Sequence, residues 1–313
     1  MSDRTFFRKT NRRNVLKYTG VIAAALPLSS GSVFSAGSNI TDIVDCHFHL
    51  WARDKKRFPY SEDPPYAPDY SSTADQWDKD RIGAGISKGI FVLGAPYKTD
   101  HSFLFHSLEL APDSLRGVCI VDPNVPEGIG ILEKIVSEHN IVGVRLQTSW
   151  LWGVDWGSPY LEAFWKKVGD LDIVLQMHLE PEHTYEFEKL VKKYPGTRVV
   201  IDHLGRPRDG DAVDYLQLLE ISAYPHVYMK LSSFDTESRQ EPPHDKVRPL
   251  INLIVDRFTT RKLVWGSNNY RGGMGSEAYL GLVQLARGLF DFLSIDEQKR
   301  IFIENPRRLY KIT

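Results

Sequence analysis

The chain has 313 residues, of which 42% are hydrophobic and 25% charged, and its formal net charge is −1 at pH 7. This length allows one large domain or two small ones with a substantial core. The sequence shows no internal repeat, low-complexity tract or run of like charge, so it does not indicate a nucleic-acid-binding surface and we expect no nucleic-acid partner.

The first 36 residues differ from the rest of the chain. They carry six basic residues against Asp3, a net of +5, followed by the apolar run Val21–Leu26. A basic region, a short apolar region and small residues near Ala36 are typical of an export signal, and residues 12–17 resemble a twin-arginine signal. The apolar run is too short for a bilayer, which needs about 20 residues. We predict a signal over residues 1–36, passage through the twin-arginine export machinery to the periplasm, and no stable membrane span; the alternative is an amphipathic anchor.

The first predicted strand carries two histidines two residues apart, His47 and His49. Because side chains alternate along a strand, we expect two faces. One face would carry Ile43, Asp45, His47 and His49, and the other Val44, Cys46, Phe48 and Leu50. Two imidazoles on one face lie roughly 7 Å apart along the backbone, and a divalent ion at the strand end can bind both. The alternative is a polar strand face that lines a wet cleft.

A loop rich in proline and tyrosine follows, from Arg57 to Tyr70, and its length is typical of a lid or pocket wall. Beyond it, short β-branched runs alternate with helical patterns. Seven further strands are predicted at Ile90–Leu93, Gly117–Val121, Val142–Leu146, Ile173–Leu179, Val199–His203, Val227–Leu231 and Leu263–Trp265. Helices are predicted at Ile129–His139, Leu161–Val168, Glu182–Tyr194, Val213–Ser222, Lys246–Phe258, Glu277–Phe292 and Asp296–Leu309, the last one broken near Pro306.

Eight strand–helix units indicate an α/β protein with a single (β/α)8 TIM barrel over residues 37–313. The competing architecture is a doubly wound open sheet, but the sequence has no glycine-rich dinucleotide fingerprint. Cys46 and Cys119 fall in strands one and three, which are not neighbours. We therefore expect two free, buried thiols.

In a TIM barrel the active site lies at the carboxyl ends of the strands. Polar side chains are predicted there as follows: His47 and His49 on strand one, Arg145 and Gln147 on strand four, His178 and Glu180 on strand five, His203 on strand six, Lys230 on strand seven and Asn268 on strand eight. We expect the four histidines to meet at one mouth.

Four motifs lie at these strand ends. They are His47-Phe48-His49, Asp202-His203-Leu204-Gly205, Lys230-Leu231-Ser232 and Gly266-Ser267-Asn268. On them, and on the closing segment from Asn305 to Tyr310, the chain resembles the amidohydrolase superfamily, in its amidohydrolase 2 group. The resemblance covers essentially the whole chain after the signal. It implies a TIM barrel and a hydrolase that opens a lactone or related ester of a small acidic compound.

The resemblance also implies roles for individual residues. His47, His49, His178 and His203 would bind one divalent metal, most often zinc, which brings the pKa of its water to about 7. Arg145 would bind a substrate carboxylate in a two-point hydrogen bond, the alternative being an ion pair inside the barrel. Further substrate-binding candidates are Gln147, Trp150, Trp152 and Lys230; for Lys230, too, a structural ion pair is the alternative.

One departure from the family pattern concerns the base. The aspartate that ends strand eight in relatives is Asn268 here, and an amide cannot carry a proton away from water. Either Glu180 or Asp235 replaces it, or carbonyl polarisation suffices at a metal-free or weakly metallated site, or the barrel binds without turnover. The predicted catalytic set is therefore Asn268, His203, Glu180 and Asp235. A decarboxylase of the same superfamily is a further alternative.

Overall fold

Eight parallel strands form one sheet in which every strand pairs with the next along the chain. Their bounds are β1 Ile43–Phe48, β2 Ile86–Val92, β3 Leu115–Cys119, β4 Ile141–Gln147, β5 Val174–His178, β6 Val199–Ile201, β7 Val227–Leu231 and β8 Leu263–Trp265. This order in an eight-stranded parallel sheet is that of a TIM barrel, so the predicted fold is confirmed. The computed structural model describes residues 40–149, 153–207 and 211–313. The predicted export signal, Trp150 and Trp152 lie outside them.

Helices follow the strands. They are α1 Ala74–Gly83, α2 Ser102–Leu110, α3 Gly128–Glu138, α4 Leu161–Asp170, α5 Thr184–Lys193, α6 Ala212–Glu220, α7 Phe234–Ser238, α8 Arg248–Phe258, α9 Ser276–Leu289, α10 Ile295–Lys299 and α11 Asn305–Tyr310. A π-helical turn, Arg300–Glu304, separates the last two, just before Pro306 where the sequence predicts a break. Within the described ranges, no helix is long and apolar enough to cross a membrane.

The strands bury apolar side chains on both faces. A barrel-interior cluster contains Val44, Cys46, Ile90, Val92, Val118, Val174, Val200, Tyr228 and Val264. Leu309, Tyr310 and Ile312 pack on the same cluster, and Arg198, just before β6, donates to the carbonyl of Leu309 at 3.0 Å. The C-terminal segment therefore closes the amino-terminal end of the barrel and leaves the carboxyl end for the polar residues.

The predicted alternation along β1 is wrong at one point. Asp45 pairs with Gly89 and Phe48 with Phe91, so β1 has one more residue than β2 between these pairs. Such a bulge turns two successive side chains towards one side. Cys46 packs in the barrel interior and His47 lies there as well, beside Lys230, whereas Asp45 bonds Tyr279 of the outer helix α9. The bulge thus moves His47 away from Asp45's face and into the barrel.

The seam between β8 and β1 has an irregular set of hydrogen bonds. Asn268 N–H donates to the carbonyl of His47 at 2.8 Å, and Ser267 N–H donates to the Asp45 carboxylate at 2.9 Å. A Cβ on Gly266 would lie 2.6 Å from that of His47, so only glycine permits this approach. The Asp45 carboxylate accepts a hydrogen bond that a backbone carbonyl accepts elsewhere in the sheet. It thereby links β1 to the segment that follows β8.

The loop between β1 and α1 forms an aromatic wall. Trp51 pairs with Ser72 in an isolated antiparallel bridge, and its ring lies within about 6 Å of the rings of Tyr60, Tyr66 and Tyr97. The His49 ring lies 5.6 Å from the same tryptophan. The loop therefore borders the first-strand histidines, as expected of a pocket wall. Both cysteines are buried free thiols, as the sequence predicts.

Candidate active site

The four predicted histidines meet at the carboxyl end of the barrel. The ring centres of His47 and His49 are 5.0 Å apart, those of His47 and His203 4.6 Å, and those of His178 and His203 5.6 Å. Only His49 is partly exposed; the other three are buried. Residues up to 156 positions apart in the chain, His47 and His203, are thus neighbours.

Asp202 is the centre around which these rings are arranged, and it is completely buried. Lys230 Nζ lies 3.0 Å from its Oδ1, and Arg145 Nε lies 3.0 Å from its Oδ2. Both cations are themselves buried. Arg145 and Lys230 therefore form the ion pairs that the sequence analysis gave as their alternative roles, and two cations share one carboxylate.

The hydrogen-bond partners assign the protons of three imidazoles. Lys230 Nζ lies 3.1 Å from His47 Nδ1 and can only donate, so this nitrogen is an acceptor and the His47 proton is on Nε2. That Nε2 lies 3.4 Å from His49 Nε2, while His49 Nδ1 donates to the Val92 carbonyl at 2.7 Å. His49 Nε2 therefore accepts a hydrogen bond from His47 Nε2–H.

His203 follows the same logic. Arg145 Nη2 lies 3.3 Å from its Nε2 and donates to it, so Nδ1 carries the proton and donates to Ser232 Oγ at 2.9 Å. Lys230 on β7 and Ser232, the first residue after that strand, thus contact the same site, as their two-residue spacing predicts.

The turn after β6 has an unusual backbone. His203, Leu204, Gly205 and Arg206 all have positive φ, between 52° and 73°. Such angles are uncommon for residues other than glycine, and runs of them are found where the surrounding structure enforces a functional geometry. The turn places His203 in contact with the Arg145 guanidinium that pairs with Asp202. It also places Arg206 in contact with His178.

Burial sets the protonation states. It lowers the pKa of His49 to about 4, with the charge of Arg145 adding to the effect, and it holds the pKa values of His47, His178 and His203 well below the usual range. Burial by itself raises the pKa of Asp202, but the charges of Lys230 and Arg145 outweigh it and bring this pKa well below its usual range. At pH 7 the site contains neutral imidazoles and an ionised carboxylate.

The donor atoms of His47, Asp202 and His203 lie within 4.8 Å of one another, which fits a single metal ion. The cluster contains two of the four predicted ligands, together with a carboxylate that was not predicted. Two protein cations already lie among these atoms: Lys230 donates to His47 Nδ1 and forms an ion pair with Asp202 Oδ1 at 3.0 Å, and Arg145 donates to Asp202 Oδ2 and to His203. Asp202 Oδ1 accepts no hydrogen bond from the described residues. A cation at this position would compete with two protein cations.

The candidate bases lie in different surroundings. Asn268 has φ of 55° and its Nδ2 donates to Ser233 Oγ at 2.8 Å. The Glu180 carboxylate accepts from the hydroxyls of Thr148 and Ser149 and pairs with Arg206 Nη2 at 3.2 Å. Because its oxygens are occupied, this position does not support Glu180 as the base.

Asp235 lies in α7 and lines a separate cavity of about 410 Å³. None of the four histidines contributes to the lining of that cavity. The structure therefore does not bring Asp235 together with the imidazoles, and its position does not support a role as base.

Gln147 ends β4, with its Cα opposite that of His178. Its side chain is 5% exposed, and neither amide atom has a hydrogen-bond partner among the described residues. Buried polar groups without partners are rare in folded proteins. Among the predicted substrate-binding residues that the structure describes, Gln147 is the one with no hydrogen-bond partner for its side chain.

The sequence analysis missed three residues of the site. Asp202 appears there only as part of a motif, although a charged residue directly after a buried strand was a signal. Arg206 contacts His178 and Glu180. Gln176 donates to Asp202 at 3.2 Å from β5, and its interior position follows from its two-residue spacing to His178.

A parallel barrel with a histidine-lined site around a buried, ion-paired aspartate defines a class of barrel hydrolases rather than a single activity. The model of the amidohydrolase family matches residues 44–312. The chain therefore belongs to the amidohydrolase family, which confirms the predicted family and identifies the protein as a hydrolase.

Two relatives and one solved structure illustrate the family. A 4-sulfomuconolactone hydrolase from Hydrogenophaga intermedia is 27% identical over 278 residues, covering 85% of this chain and 88% of that protein. An L-fucono-1,5-lactonase from Burkholderia ambifaria is 23% identical over 279 residues, covering 86% and 95%. An amidohydrolase from Burkholderia multivorans with bound zinc has a TM-score of 0.70 at 18% identity, covering 87% of this chain and 99% of that one, which shows the shared fold.

Proposed function

We propose that this protein hydrolyses the ring ester of a small polar lactone. The observation that carries the proposal is the arrangement of neutral histidines around the ion-paired Asp202 at the barrel mouth. The names of the two relatives, both lactone-opening enzymes, support the reaction class.

In this mechanism His49 accepts the proton of the attacking water. Its Nδ1 is fixed as a donor by the Val92 carbonyl, so Nε2 is the accepting nitrogen, and the attacking water replaces His47 Nε2–H, 3.4 Å away, as its donor. His49 is also the one partly exposed ring of the four. An imidazole in this state can take a proton and return it to the leaving alkoxide when the ring opens. Hydrolysis balances because water supplies a hydroxyl to the carbonyl carbon and a proton to the departing oxygen.

Arg145 stabilises the negative charge that develops on the lactone carbonyl oxygen. Its guanidinium is held in place by Asp202 and His203, and fixed donors of this kind are effective because they need no reorganisation during the reaction. The charge of Lys230 keeps Asp202 ionised. Lys230 also orients the His47 ring by donating to its Nδ1. The prediction of an acidic substrate depended on Arg145, and a substrate carboxylate would have to share that guanidinium with Asp202.

A divalent metal, if bound, would be held by His47, Asp202 and His203. It would supply Lewis-acid polarisation of the carbonyl and a more acidic water. The residue roles given above do not depend on it. Zinc remains the metal that the sequence analysis favours.

The test is a panel of lactones followed by a pH indicator and by mass analysis of the opened acid. We expect turnover in the wild type that His49→Ala and Arg145→Ala abolish, with metal content measured in parallel. Release of carbon dioxide would identify a decarboxylase instead. Binding of panel compounds without turnover would identify a barrel that lost its base, for which Asn268 is the motivating residue.

We also propose export to the periplasm through the twin-arginine pathway, supported by Arg12, Arg13 and the apolar run that follows them. Fractionation of cells that express the full chain tests it. The mature form should be periplasmic, and Arg12→Lys with Arg13→Lys should retain the full-length chain in the cytoplasm. Equal distribution of both forms would contradict the proposal.

A further inference from the structure

A cavity of about 410 Å³ lies beside β8 and is lined by three segments: α7 with the loop that follows it, the end of β8 with the turn after it, and α9. Trp265, the last residue of β8, lies against Phe302 with 5.3 Å between the ring centres, whereas its neighbour Val264 packs in the barrel interior. Because successive side chains of a strand point to opposite faces, Trp265 points away from the barrel axis. This cavity, the β8 cavity, is therefore behind the strand and separate from the four histidines.

The walls of the β8 cavity are apolar in part. Trp265 and Phe234 are buried, and Leu282 and Leu285, three residues apart on α9, are half-buried and lie on one side of the helix. Small-molecule sites typically have volumes of about 300–1,000 Å³ and combine apolar walls with a few polar groups. The volume and the lining of the cavity therefore fit a small organic ligand with an apolar body.

The Asp235 carboxylate is one of the polar groups in the lining. Its Oδ1 is buried and accepts no hydrogen bond from the described residues. The structure describes the chain without a gap from residue 211 to residue 313, a range that includes every residue of the lining. Buried polar atoms are rarely left without partners, so a ligand in the cavity would supply the donor that Oδ1 lacks.

His244 offers a second acceptor. Its side chain is 6% exposed, and its Nδ1 lies 3.1 Å from Ser238 Oγ. That hydroxyl accepts from the Gln240 N–H at 3.1 Å and donates to the Asp235 carbonyl at 3.4 Å. Its one proton is thus used, so His244 Nδ1 is the donor of their hydrogen bond and Nε2 is left as an acceptor.

The charges of the lining favour a cation. Asp235 and Glu241 bring two carboxylates to the cavity, and Arg271 brings one guanidinium, which lies over the Tyr70 ring at 5.3 Å. An ammonium group has three donors and no acceptor, and its hydrogen bonds to a carboxylate are strengthened by charge. An alcohol brings one donor without charge, and a carboxylate brings none.

We propose that the β8 cavity is a second binding site, which takes a small primary amine with an apolar body. The ammonium group donates to Asp235 and His244, and the body packs against Trp265 and Phe234. This site uses none of the four histidines, and the inference does not depend on lactone hydrolysis.

The experiment uses calorimetric titration of the full chain with pairs of probes that share one apolar body: 2-phenylethylamine with 2-phenylethanol, and tryptamine with tryptophol. At least one amine should bind in a saturable manner, and its alcohol should bind about 10-fold more weakly or worse, because a hydrogen bond to a charged group contributes about 1.5–3 kcal/mol. Equal affinities within each pair, or no saturable binding of either amine, would overturn the inference.

Two variants locate the bound amine. Asp235→Asn keeps the size of the side chain and removes its charge, so the affinity for the amine should fall about 10-fold or more. Asp245→Asn is the matched control: Asp245 is exposed, pairs with Arg248 at 3.6 Å and does not line the cavity. It should leave the affinity within about twofold, since exposed charges contribute little. Equal effects of the two variants would contradict the assignment.

A second pair of variants separates the β8 cavity from the barrel mouth. Leu285→Trp places a larger side chain in the cavity and should abolish binding of the amine, with the melting temperature of the free protein as the check on folding. His49→Ala changes the mouth and should leave the affinity unchanged. Loss of binding in His49→Ala, or full binding in Leu285→Trp, would overturn the inference.

A last probe distinguishes two sources of the ammonium group. L-Tryptophan is tryptamine with an added carboxylate. Tighter binding of L-tryptophan than of tryptamine would support an amino acid whose carboxylate pairs with Arg271, and weaker binding would support a plain amine. All of these measurements record binding without turnover, so their outcome is independent of the test of lactone hydrolysis.

Discussion

The floor of the site and the Gln147 side chain are both buried, yet they differ in the charged partners that the protein supplies. The floor consists of Asp202, Lys230, Arg145, His47 and His203, and a cation lies at each oxygen of its carboxylate. At the carboxyl end of β4, neither amide atom of Gln147 has a hydrogen-bond partner among the described residues. Ion pairs hold the floor in place, and no described residue holds the Gln147 amide by a hydrogen bond.

This difference separates reaction from recognition. A floor whose geometry is fixed by ion pairs is preorganised before any substrate arrives. The Gln147 amide, without hydrogen-bond partners among the described residues, is not fixed in this way.

Removal of one of the two cations that pair with Asp202 should have the largest effect on stability and turnover. Lys230→Met leaves the buried Asp202 with one cation, Arg145, among the described residues, and leaves His47 Nδ1 with only the Gln176 amide, 3.3 Å away. Removal of one partner of a buried pair destabilises a protein by about 3–5 kcal/mol. We expect a loss of this size in urea denaturation, and no measurable turnover. Lys166→Met, which breaks an exposed pair with Asp170, is the control and should change stability little; a Lys230 variant as stable as this control would contradict the assignment.

Removal of the Asp45 hydrogen bonds that hold the β1 bulge should have the second-largest effect on turnover. Asp45 accepts from the backbone of His47 at 3.1 Å and of Ser267 at 2.9 Å, and from Tyr279 at 2.8 Å. Asp45→Ala frees the bulge that places His47, and displacement of a catalytic group by about 1 Å reduces turnover roughly 100-fold. We expect such a loss in kcat with KM nearly unchanged.

Tyr279→Phe is the matched variant for Asp45. It removes the hydroxyl that joins Asp45 and Trp77 but leaves both backbone hydrogen bonds of the carboxylate intact. It should lower the melting temperature and keep kcat within about threefold of the wild type, since a single neutral hydrogen bond contributes about 1 kcal/mol. Equal kcat losses in both variants would show that Asp45 acts through the outer helix and not through the bulge.

The barrel was predictable from sequence because its signal is local. Strands buried on both faces appear as short β-branched runs, and each of the eight predicted runs overlaps an observed strand, although the run on β6 continues past Ile201 into the turn at His203. Helix α1 was not predicted, because it buries only Ala74, Trp77 and the charged Asp80 on an otherwise polar surface. The β1 bulge was also hidden, since an extra residue exists only relative to the pairing with β2.

The site was predictable in its members but not in its connections. The positions of His47, His49, His178 and His203 follow from their place at strand ends, and the structure brings them together. That Arg145 and Lys230 converge on Asp202 depends on three strands closing around one axis. Gln147 has no partner among the described residues because neighbours such as Thr148 and Ser149 donate their hydroxyls to Glu180. No sequence pattern predicts these pairings.

Glu180 offers a smaller test of the same comparison. If Glu180 only holds Arg206 and the hydroxyls of Thr148 and Ser149 in place, Glu180→Gln should reduce kcat less than 10-fold. Loss of a general base, in contrast, reduces rates by about 10²–10⁴-fold. Glu182→Gln, two residues further on and exposed, is the control. A loss above 100-fold that is confined to Glu180→Gln would assign the base to this carboxylate after all.

Removal of metal should have the smallest effect. Lys230 and Arg145 already place two positive charges against the His47, Asp202 and His203 cluster, and these charges repel a further cation. We therefore expect dialysis against EDTA to leave kcat/KM within about threefold, with less than one zinc per chain before treatment. Asn268→Asp adds a negative charge next to His47, and its zinc content should rise above that of the wild type. A 100-fold loss on chelation that zinc restores would show instead that a metal displaces the two protein cations from the floor of the site.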